Sequence, residues 1–448
     1  MRRKRLLFHE STQRRLCRFA LFLFGFLPLL LCVGFAIVSQ TSWYTLRQKA
    51  AWRERIHNNL GLDVVFDSIE FPTPSRFRIQ EFMCIHPETQ QPILFSPCAQ
   101  GEMTSQGWSL ELATAELVSS QTNLAATIVH DSFLCRPHNA VPILKLSIGS
   151  LSVRSPTTGP RGEVQASVWP KLEQIIVEYL PSLDRSELKL QFAIGPGKQS
   201  PAKVHVRRNH FAANPRTDWA IKTQETSIPC EPLIEWMPAL EYLGPRAAFR
   251  GTADFWQDSR DWGCEIEGEL DRARWESLTT SLGSPMRGET RIGIRKSRIV
   301  NGHIQYASGR VQVAESVDGD WIQRIVRQFG WATDAGVQQL SDEPQNVAGL
   351  DLEFDLNDQG LLWTGLGEEI TNEGKRYRIL AAVRNLRIAT NSQAPRIALH
   401  EIGASIANSH VSATPETIAL CQSAIAAVLP IPQQYPRLSE ASSRHSPR

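Results

Sequence analysis

The chain has 448 residues, of which 42% are hydrophobic and 21% are charged, so it is long enough for two or three domains with sizeable cores. Its formal net charge is +2, and the first 18 residues hold seven basic side chains and one acidic one, or +6, which leaves 2 − 6 = −4 for the remainder. A mildly acidic body lacks the basic face that phosphates require, so nucleic acid is excluded as a partner.

An uncharged stretch of twenty residues runs from Phe19 to Val38. At about 1.5 Å per residue it crosses a hydrocarbon core of about 30 Å, which predicts a transmembrane helix over 19–41. The basic arm over 1–18 predicts a cytoplasmic N-terminus and an exported body. A cleavable signal peptide is the alternative, but its apolar core usually has about 7–15 residues. A lipoprotein signal fits poorly, because Leu31 and not a small residue precedes Cys32.

Residues 42–61 are predicted to form a stalk helix, because helix-forming residues run from Thr45 to Leu60 and Gly61 offers a left-handed end. Alternating apolar and polar residues then predict an N-terminal β region over 62–165. Its predicted strands are Asp63 to Phe71, Arg76 to Ile79, Pro92 to Phe95, Ser109 to Leu117, Leu124 to His130 and Ile143 to Val153.

The order of these parts resembles the start of AsmA-like proteins. The resemblance is carried by one anchor, a short helix ending in Leu60-Gly61, the strand DVVFDSIEF, a proline-bearing turn and the segment RFRIQEFMCIHPETQQPIL. It implies a mainly β ectodomain with short helices, built as an elongated, curled antiparallel sheet that forms a β-groove. It also implies a location on the inner (cytoplasmic) membrane with the body in the periplasm, and membrane lipids as partners.

A central β region with short helices is predicted over 166–330. Leu172, Ile175, Ile176 and Tyr179 share one face of a predicted helix that opens at Trp169-Pro170 and ends at Pro181. Short helices are also predicted within 231–243, 275–278 and 321–329, between strands that run from Glu187 to Val313. Gly268 to Asp271 and Trp275 to Leu278 are similar to the strand and small helix that recur in AsmA-like proteins.

A C-terminal β region is predicted over 331–429. Strands are predicted at 350–356 and 397–406, and a helix from Thr414 to Val428 is expected to close the open end of the sheet. Residues 430–448 are polar and proline-bearing, and a disordered tail is predicted there.

Cysteine spacing predicts no metal site. Outside the arm and the anchor there are six cysteines without a CxxC pair, and their gaps match no zinc framework. The six cysteines could form disulfides in an oxidising compartment, or they could be buried free thiols, and the sequence does not choose between these two interpretations. We predict no cofactor.

Catalytic motifs are weak, and we predict no enzyme activity and no catalytic residue. Ser200 to Lys203 fits S-x-x-K without its companion motifs, and Gly195 to Lys198 lacks the rest of a phosphate loop. His400-Glu401 lacks a second zinc-binding histidine. His130 and Asp131 are predicted in or near a strand, where adjacent side chains point to opposite faces.

The resemblance favours a membrane-anchored protein that binds lipid or transfers it between membranes or to a partner, other envelope proteins included, through an apolar groove. The alternative is a non-enzymatic scaffold whose β core is filled by its own side chains, and a glycan-directed enzyme would need clustered carboxylates in a cleft. The candidate lipid-facing residues are the apolar positions of the most regular strands, whose other role is core packing: Ile292, Ile294, Ile304, Tyr306, Val311, Val313, Leu350, Leu352, Phe354 and Leu356.

Overall fold

The structure is a computed structural model. Up to residue 313 it describes residues 10–39, 41–87, 89–105, 107–118, 122–136, 142–154, 169–195, 200–210, 215–234, 238–274, 289–301 and 303–313. Beyond residue 313 it describes 317–318, 332–333, 344–345, 347–348, 350–365, 367–370, 376–383, 386–391 and 396. The predicted helices over 275–278, 321–329 and 414–428, the strand over 397–406 and the tail lie outside these residues, as does half of the basic arm.

The described chain begins with helix. Helix α1 covers Glu10–Leu21, a π-helical stretch covers Phe22–Phe26, and α2 covers Leu27–Ser39. Within it, Cys17–Gly34 is the one segment of the described residues that is long and apolar enough to cross a membrane, and none of it is buried. The predicted span therefore has the conformation and the exposure that a lipid-facing helix requires.

Helix α3 covers Ser42–Leu60 and confirms the predicted helix. The Thr41 side chain caps its first turn by accepting a hydrogen bond from the Tyr44 amide, and Gly61 ends it with a φ of 68°. The helix does not stand free over its whole length, because Trp52, Ile56 and Leu60 are buried against the sheet. Apolar side chains on one face, at steps of four residues, explain this docking.

One 17-stranded sheet forms the body of the protein. Its first half consists of β1 Asp63–Val65, β2 Ser68–Thr73, β3 Arg76–Ile85, β4 Pro92–Met103, β5 Gly107–Val118, β6 Ile143–Arg154, β7 Leu172–Pro181, β8 Arg185–Ile194 and β9 Ala202–Asn209. Its second half consists of β10 Arg216–Lys222, β11 Ile228–Pro229, β12 Ala248–Gln257, β13 Trp262–Ala273, β14 Thr290–Val300, β15 His303–Val313, β20 Leu350–Asn357 and β21 Gly360–Gly365. Two short 3-10 helices, Glu231–Leu233 and Pro238–Leu243, fall where a helix interrupted by Pro238 is predicted.

Two smaller sheets follow. Strands β16 Val317–Asp318 and β18 Pro344–Gln345 pair with each other. The other sheet contains β17 Ala332–Thr333, β19 Val347–Ala348, β22 Gly367–Ile370, β23 Arg376–Val383 and β24 Leu386–Asn391. The chain is therefore mainly β with few short helices, as predicted.

The large sheet is open and almost wholly antiparallel. From β3 to β15 each long strand pairs with the next one along the chain, with the two-residue β11 beside β12, and β20 and β21 extend the row. The exception is β5 with β6, which are parallel. Parallel neighbours need a crossover connection, and here it includes helix α4, Thr122–Val129. The predicted strand from Leu124 to His130 is therefore wrong, since a short apolar run does not distinguish a strand from a helix.

The predicted helix from Trp169 to Pro181 is also wrong, because Leu172–Pro181 is strand β7. A register shift separates Glu173 from Ile176, and Gln174 has a φ of 52°. The extra residues of this bulge place Leu172 and Ile175 on the core side at a three-residue step. After the bulge, Val177 and Tyr179 also face the core. The apolar residues of this strand therefore have the spacing that is expected of a helix.

Two apolar clusters line the large sheet. The first lies under α3 and extends over β3 to β9, and the second extends over β12 to β21 and the 3-10 helices. The opposite face is polar and carries cross-strand ion pairs, such as Arg250 to Glu269 at 2.8 Å and Arg295 to Glu353 at 3.1 Å. One face is therefore apolar and the other solvated, as is usual for antiparallel sheets.

Candidate functional site

Two rows of paired residues cross the apolar face of the sheet. The first row spans eleven strands: Met103, Trp108, Leu144, Tyr179, Leu188, Val206, Trp219, Phe255, Cys264, Ile299 and Ile304. The second spans twelve: Leu110, Leu146, Val177, Leu190, Val204, Ile221, Ala253, Ile266, Ser297, Ala307, Leu356 and Leu361. Ser297 is polar, but its hydroxyl donates a hydrogen bond to the Ile266 carbonyl oxygen at 3.1 Å. The two clusters are thus parts of one continuous apolar surface.

Most side chains in the middle of this surface are partly exposed. We call this middle part the central strip; it consists of Leu188, Leu190, Val204, Val206, Trp219, Ile221, Ala253 and Phe255 on β8, β9, β10 and β12. Val206 and Ala253 are buried, and the other six are partly exposed. At about 4.8 Å per strand, the strip is about 14 Å wide between β8 and β12. Apart from Val206 and Trp219, its residues belong to one of the two clusters or pack against it. Arg208 of β9 lies on the same face beside the strip and donates a hydrogen bond to the Thr217 hydroxyl at 2.7 Å.

The predicted lipid-facing residues lie further along the sheet. Six of them are between 2% and 6% exposed and belong to the second cluster: Ile292, Ile294, Val311, Val313, Leu352 and Leu356. Ile304 and Phe354 are partly buried and pack against the same cluster. Leu350 lies in β20 opposite Val313. The structure therefore brings the first eight together on one face, where they pack as core, and places Leu350 in register with them.

Tyr306 is the tenth predicted residue and faces the other way. It pairs with Arg298, whereas Ile304 pairs with Ile299, so Gln305 is the extra residue of a bulge. The Lys296 ammonium lies 5.1 Å from the centroid of the Tyr306 ring on the polar face. The bulge thus removes Tyr306 from the apolar surface.

Two of the motifs set aside on sequence grounds lie in the described residues, Ser200 to Lys203 and His130-Asp131, whereas His400-Glu401 and most of Gly195 to Lys198 lie outside them. Ala202 and Lys203 of S-x-x-K lie in strand β9, whereas the acylase motif requires a helix. His130 and Asp131 lie in a π-helical turn, His130–Leu134, and not in a strand. The His130 Nδ1 atom lies 2.9 Å from the Asp131 Oδ1 atom, so the prediction that these side chains point apart is wrong.

The cysteines of the described residues are free thiols, so no disulfide joins them. Cys84, Cys230 and Cys264 are buried, and burial raises the pKa of each from 9.0 to about 12 because the apolar core disfavours the thiolate. This result supports the free-thiol alternative.

The buried thiols predict a fall in stability at high pH. Their folded-state pKa is raised, so the stability they confer is fully present below about pH 9 and is lost between about pH 9 and 12, as the unfolded chain ionises first. We expect the free energy of unfolding to fall by about 1.4 kcal/mol per thiol and pH unit in this window. Denaturant titrations at about pH 8 and pH 10 measure the slope. The variant Cys264→Ala should show a shallower slope, and equal slopes would contradict the prediction.

Comparisons with protein-family models, with curated proteins and with solved structures found no match for this chain. The resemblance to AsmA-like proteins therefore stays a prediction from the motifs in the sequence.

Sequence reasoning missed the central strip. Each of its strands shows alternating apolar residues, but the sequence does not reveal which alternating positions align across β8, β9, β10 and β12 or which of them stay partly exposed. Trp219 and Phe255 were the features of the sequence that could have indicated the strip, because large aromatic residues at alternating positions are typical of a surface that packs against another element or binds a ligand.

Proposed function

We propose that this protein is a membrane-anchored lipid-binding protein that holds acyl chains on the apolar face of its sheet and passes lipid to a second membrane or to a partner protein. The observation that carries the proposal is the continuity of the two apolar rows through the partly exposed central strip. Every CH₂ group that leaves water for such a surface contributes about 0.8 kcal/mol, so a single acyl chain gains enough to bind.

The anchor supports this proposal. Trp52 lies ten residues into α3, or about 15 Å of helix, and its ring contacts Phe77 and Trp108 at the ends of β3 and β5. Helix α3, which follows the predicted span in the chain, thus contacts these strand ends. Trp43 is 60% exposed at the start of α3, and in the proposed orientation it lies in the headgroup layer, which aromatic side chains favour. In the proposed orientation the N-terminus is cytoplasmic, and the sheet stands outside the cytoplasmic membrane with one end near it.

The buried packing around Ile292, Leu352 and Leu356 favours a second candidate function, a non-enzymatic assembly scaffold. A scaffold needs no ligand on the central strip. The two functions therefore differ in whether lipid contacts β8 to β12.

The test uses the full chain in a mild detergent and two variants of neighbouring residues in β8. Leu190 lies on the central strip, whereas Gln191 lies on the polar face opposite Lys203. We expect phospholipid to co-purify with the wild-type chain, and Leu190→Glu to lower its amount at least about tenfold, because a carboxylate against an acyl chain costs several kcal/mol. The control Gln191→Glu should retain the wild-type amount.

Photo-crosslinking in membranes locates the lipid. A photoreactive amino acid at Ile221 should crosslink to phospholipid, whereas the same group at the adjacent Ala220, which faces the polar side, should not. The absence of lipid from the wild-type chain, together with equal crosslinking at both positions, would overturn the proposal in favour of a scaffold.

A further inference from the structure

Three different ligand types meet in the crossover between β5 and β6. The His130 Nδ1 atom lies 2.9 Å from an Asp131 carboxylate oxygen and 3.5 Å from the Cys135 Sγ atom. One donor atom from each residue lies within 4.8 Å of the others, and the side chains are exposed or partly exposed. Tetrahedral ligands that share one ion at about 2.0–2.3 Å lie about 3.3–3.8 Å apart. The Cys135 Sγ atom already has this separation from His130, whereas the hydrogen-bonded Asp131 oxygen would have to move outward by about 0.5 Å.

A π-helical turn produces this arrangement. In an α-helix, five residues rotate the chain by about 500°, which places residues 130 and 135 on different sides. Here the Cys135 amide donates to the His130 carbonyl oxygen at 3.0 Å, an i→i+5 bond that closes a wider turn and brings both residues to one side. Single π-helical turns of this kind occur frequently at functional sites.

The backbone of this turn is fixed on two sides. The Tyr179 hydroxyl of β7 donates to the Phe133 carbonyl oxygen at 2.7 Å, and the Ser132 hydroxyl donates to the carbonyl oxygen of Gly61, just after α3, at 3.3 Å. Phe133 and Leu134 are buried. Because the residues between the ligands are anchored in the core, the ligands are held in place before an ion arrives, which lowers the cost of binding.

We propose that His130, Asp131 and Cys135 bind one borderline-soft divalent ion such as Zn²⁺, with solvent in the fourth position. Imidazole nitrogen, carboxylate oxygen and thiolate sulfur are the donors that Zn²⁺ takes in proteins. The Ser132 contact with Gly61 places this site beside the end of α3. The site is separate from the central strip and does not depend on the lipid proposal.

The test measures Zn²⁺ binding to the metal-free full chain in detergent, by titration against a chromophoric chelator. We expect one Zn²⁺ per chain, a loss of affinity of at least about tenfold in His130→Ala and Cys135→Ser, and a smaller loss in Asp131→Asn. The control Cys98→Ser removes a partly exposed thiol elsewhere in the sheet and should bind Zn²⁺ like the wild type.

The absorption spectrum of the Co²⁺-loaded protein is a second measurement, which reports whether a thiolate is a ligand of the ion. The wild type with Co²⁺ should show a thiolate-to-metal charge-transfer band that disappears in Cys135→Ser and persists in Cys98→Ser. Circular dichroism confirms that each variant is folded. Folded wild-type protein that binds no Zn²⁺, or that binds it as tightly in Cys135→Ser as in Cys98→Ser, would overturn the proposal and leave an ordinary hydrogen-bonded cluster.

Discussion

Replacing Trp52 by alanine is expected to lower the free energy of unfolding by about 3–5 kcal/mol. The indole is 8% exposed, and its ring centroid lies 5.2 Å from that of Phe71 and 5.3 Å from that of Phe77, with Trp108 at 6.3 Å. Removing it leaves a cavity under α3 and eliminates three aromatic contacts. Denaturant titration followed by far-ultraviolet circular dichroism measures the loss, and hydrogen exchange should show that α3 has become labile.

The matched control is Trp43→Ala, in the first turn of the same helix. Trp43 is 60% exposed, and its described contact is with the Arg47 guanidinium at 5.4 Å. We expect a change within about 0.5 kcal/mol, as for most exposed positions. Equal losses for both variants would show that α3 is not fixed to the sheet through Trp52.

Substitution of Gly268 by valine is expected to destabilise the sheet by about 2–5 kcal/mol. Gly268 pairs with Gly251 across β12 and β13, and their φ angles are 155° and 157°. A Cβ atom on Gly268 would lie 2.7 Å from the Gly251 Cα atom and would collide with the Arg250 carbonyl oxygen. Backbone atoms cannot move aside as a flexible side chain can, so the two strands would have to separate.

Gly293 in β14 provides the control for that substitution. A Cβ atom there would have the Arg310 carbonyl oxygen as its nearest neighbour, at 3.9 Å, which is an ordinary contact. Gly293→Ala should therefore leave the free energy of unfolding unchanged or raise it by up to about 1 kcal/mol. Thermal unfolding of both variants in the same detergent tests the contrast, and a Gly268→Val protein as stable as Gly293→Ala would refute it.

The fold class could be predicted because the strands alternate in polarity over most of their length. Leu350 to Leu356 and the segments around Ile292 and Val311 were predicted as one-face-apolar strands, and they are strands. Helix α3 was also predictable, because its composition and the Gly61 end signal are local. The wrong predictions concern a bulge and a crossover, which both depend on neighbouring strands. The bulge gives the apolar residues of β7 a helix-like spacing, and α4 lies in the crossover that the parallel strands β5 and β6 require.

The candidate site was harder to predict because it depends on register. Sequence reasoning selected β14, β15 and β20 for their regularity, but regular alternation there reflects close packing of residues such as Ile292 and Val313. The central strip was missed because Leu190, Val204 and Ile221 align only after three strands have paired. The cluster of His130, Asp131 and Cys135 was missed because a π-helical turn leaves no periodic pattern in the sequence.

The order of the strands also has a consequence for biogenesis. From β6 to β15 each long strand pairs with one that has just preceded it, so these contacts are local in the chain. Local contacts cost little loop entropy and form quickly, and domains fold from the N-terminus as synthesis proceeds. The chain can therefore add its strands from β6 to β15 one by one onto the strand that has just formed, so that each new strand is paired soon after it is made.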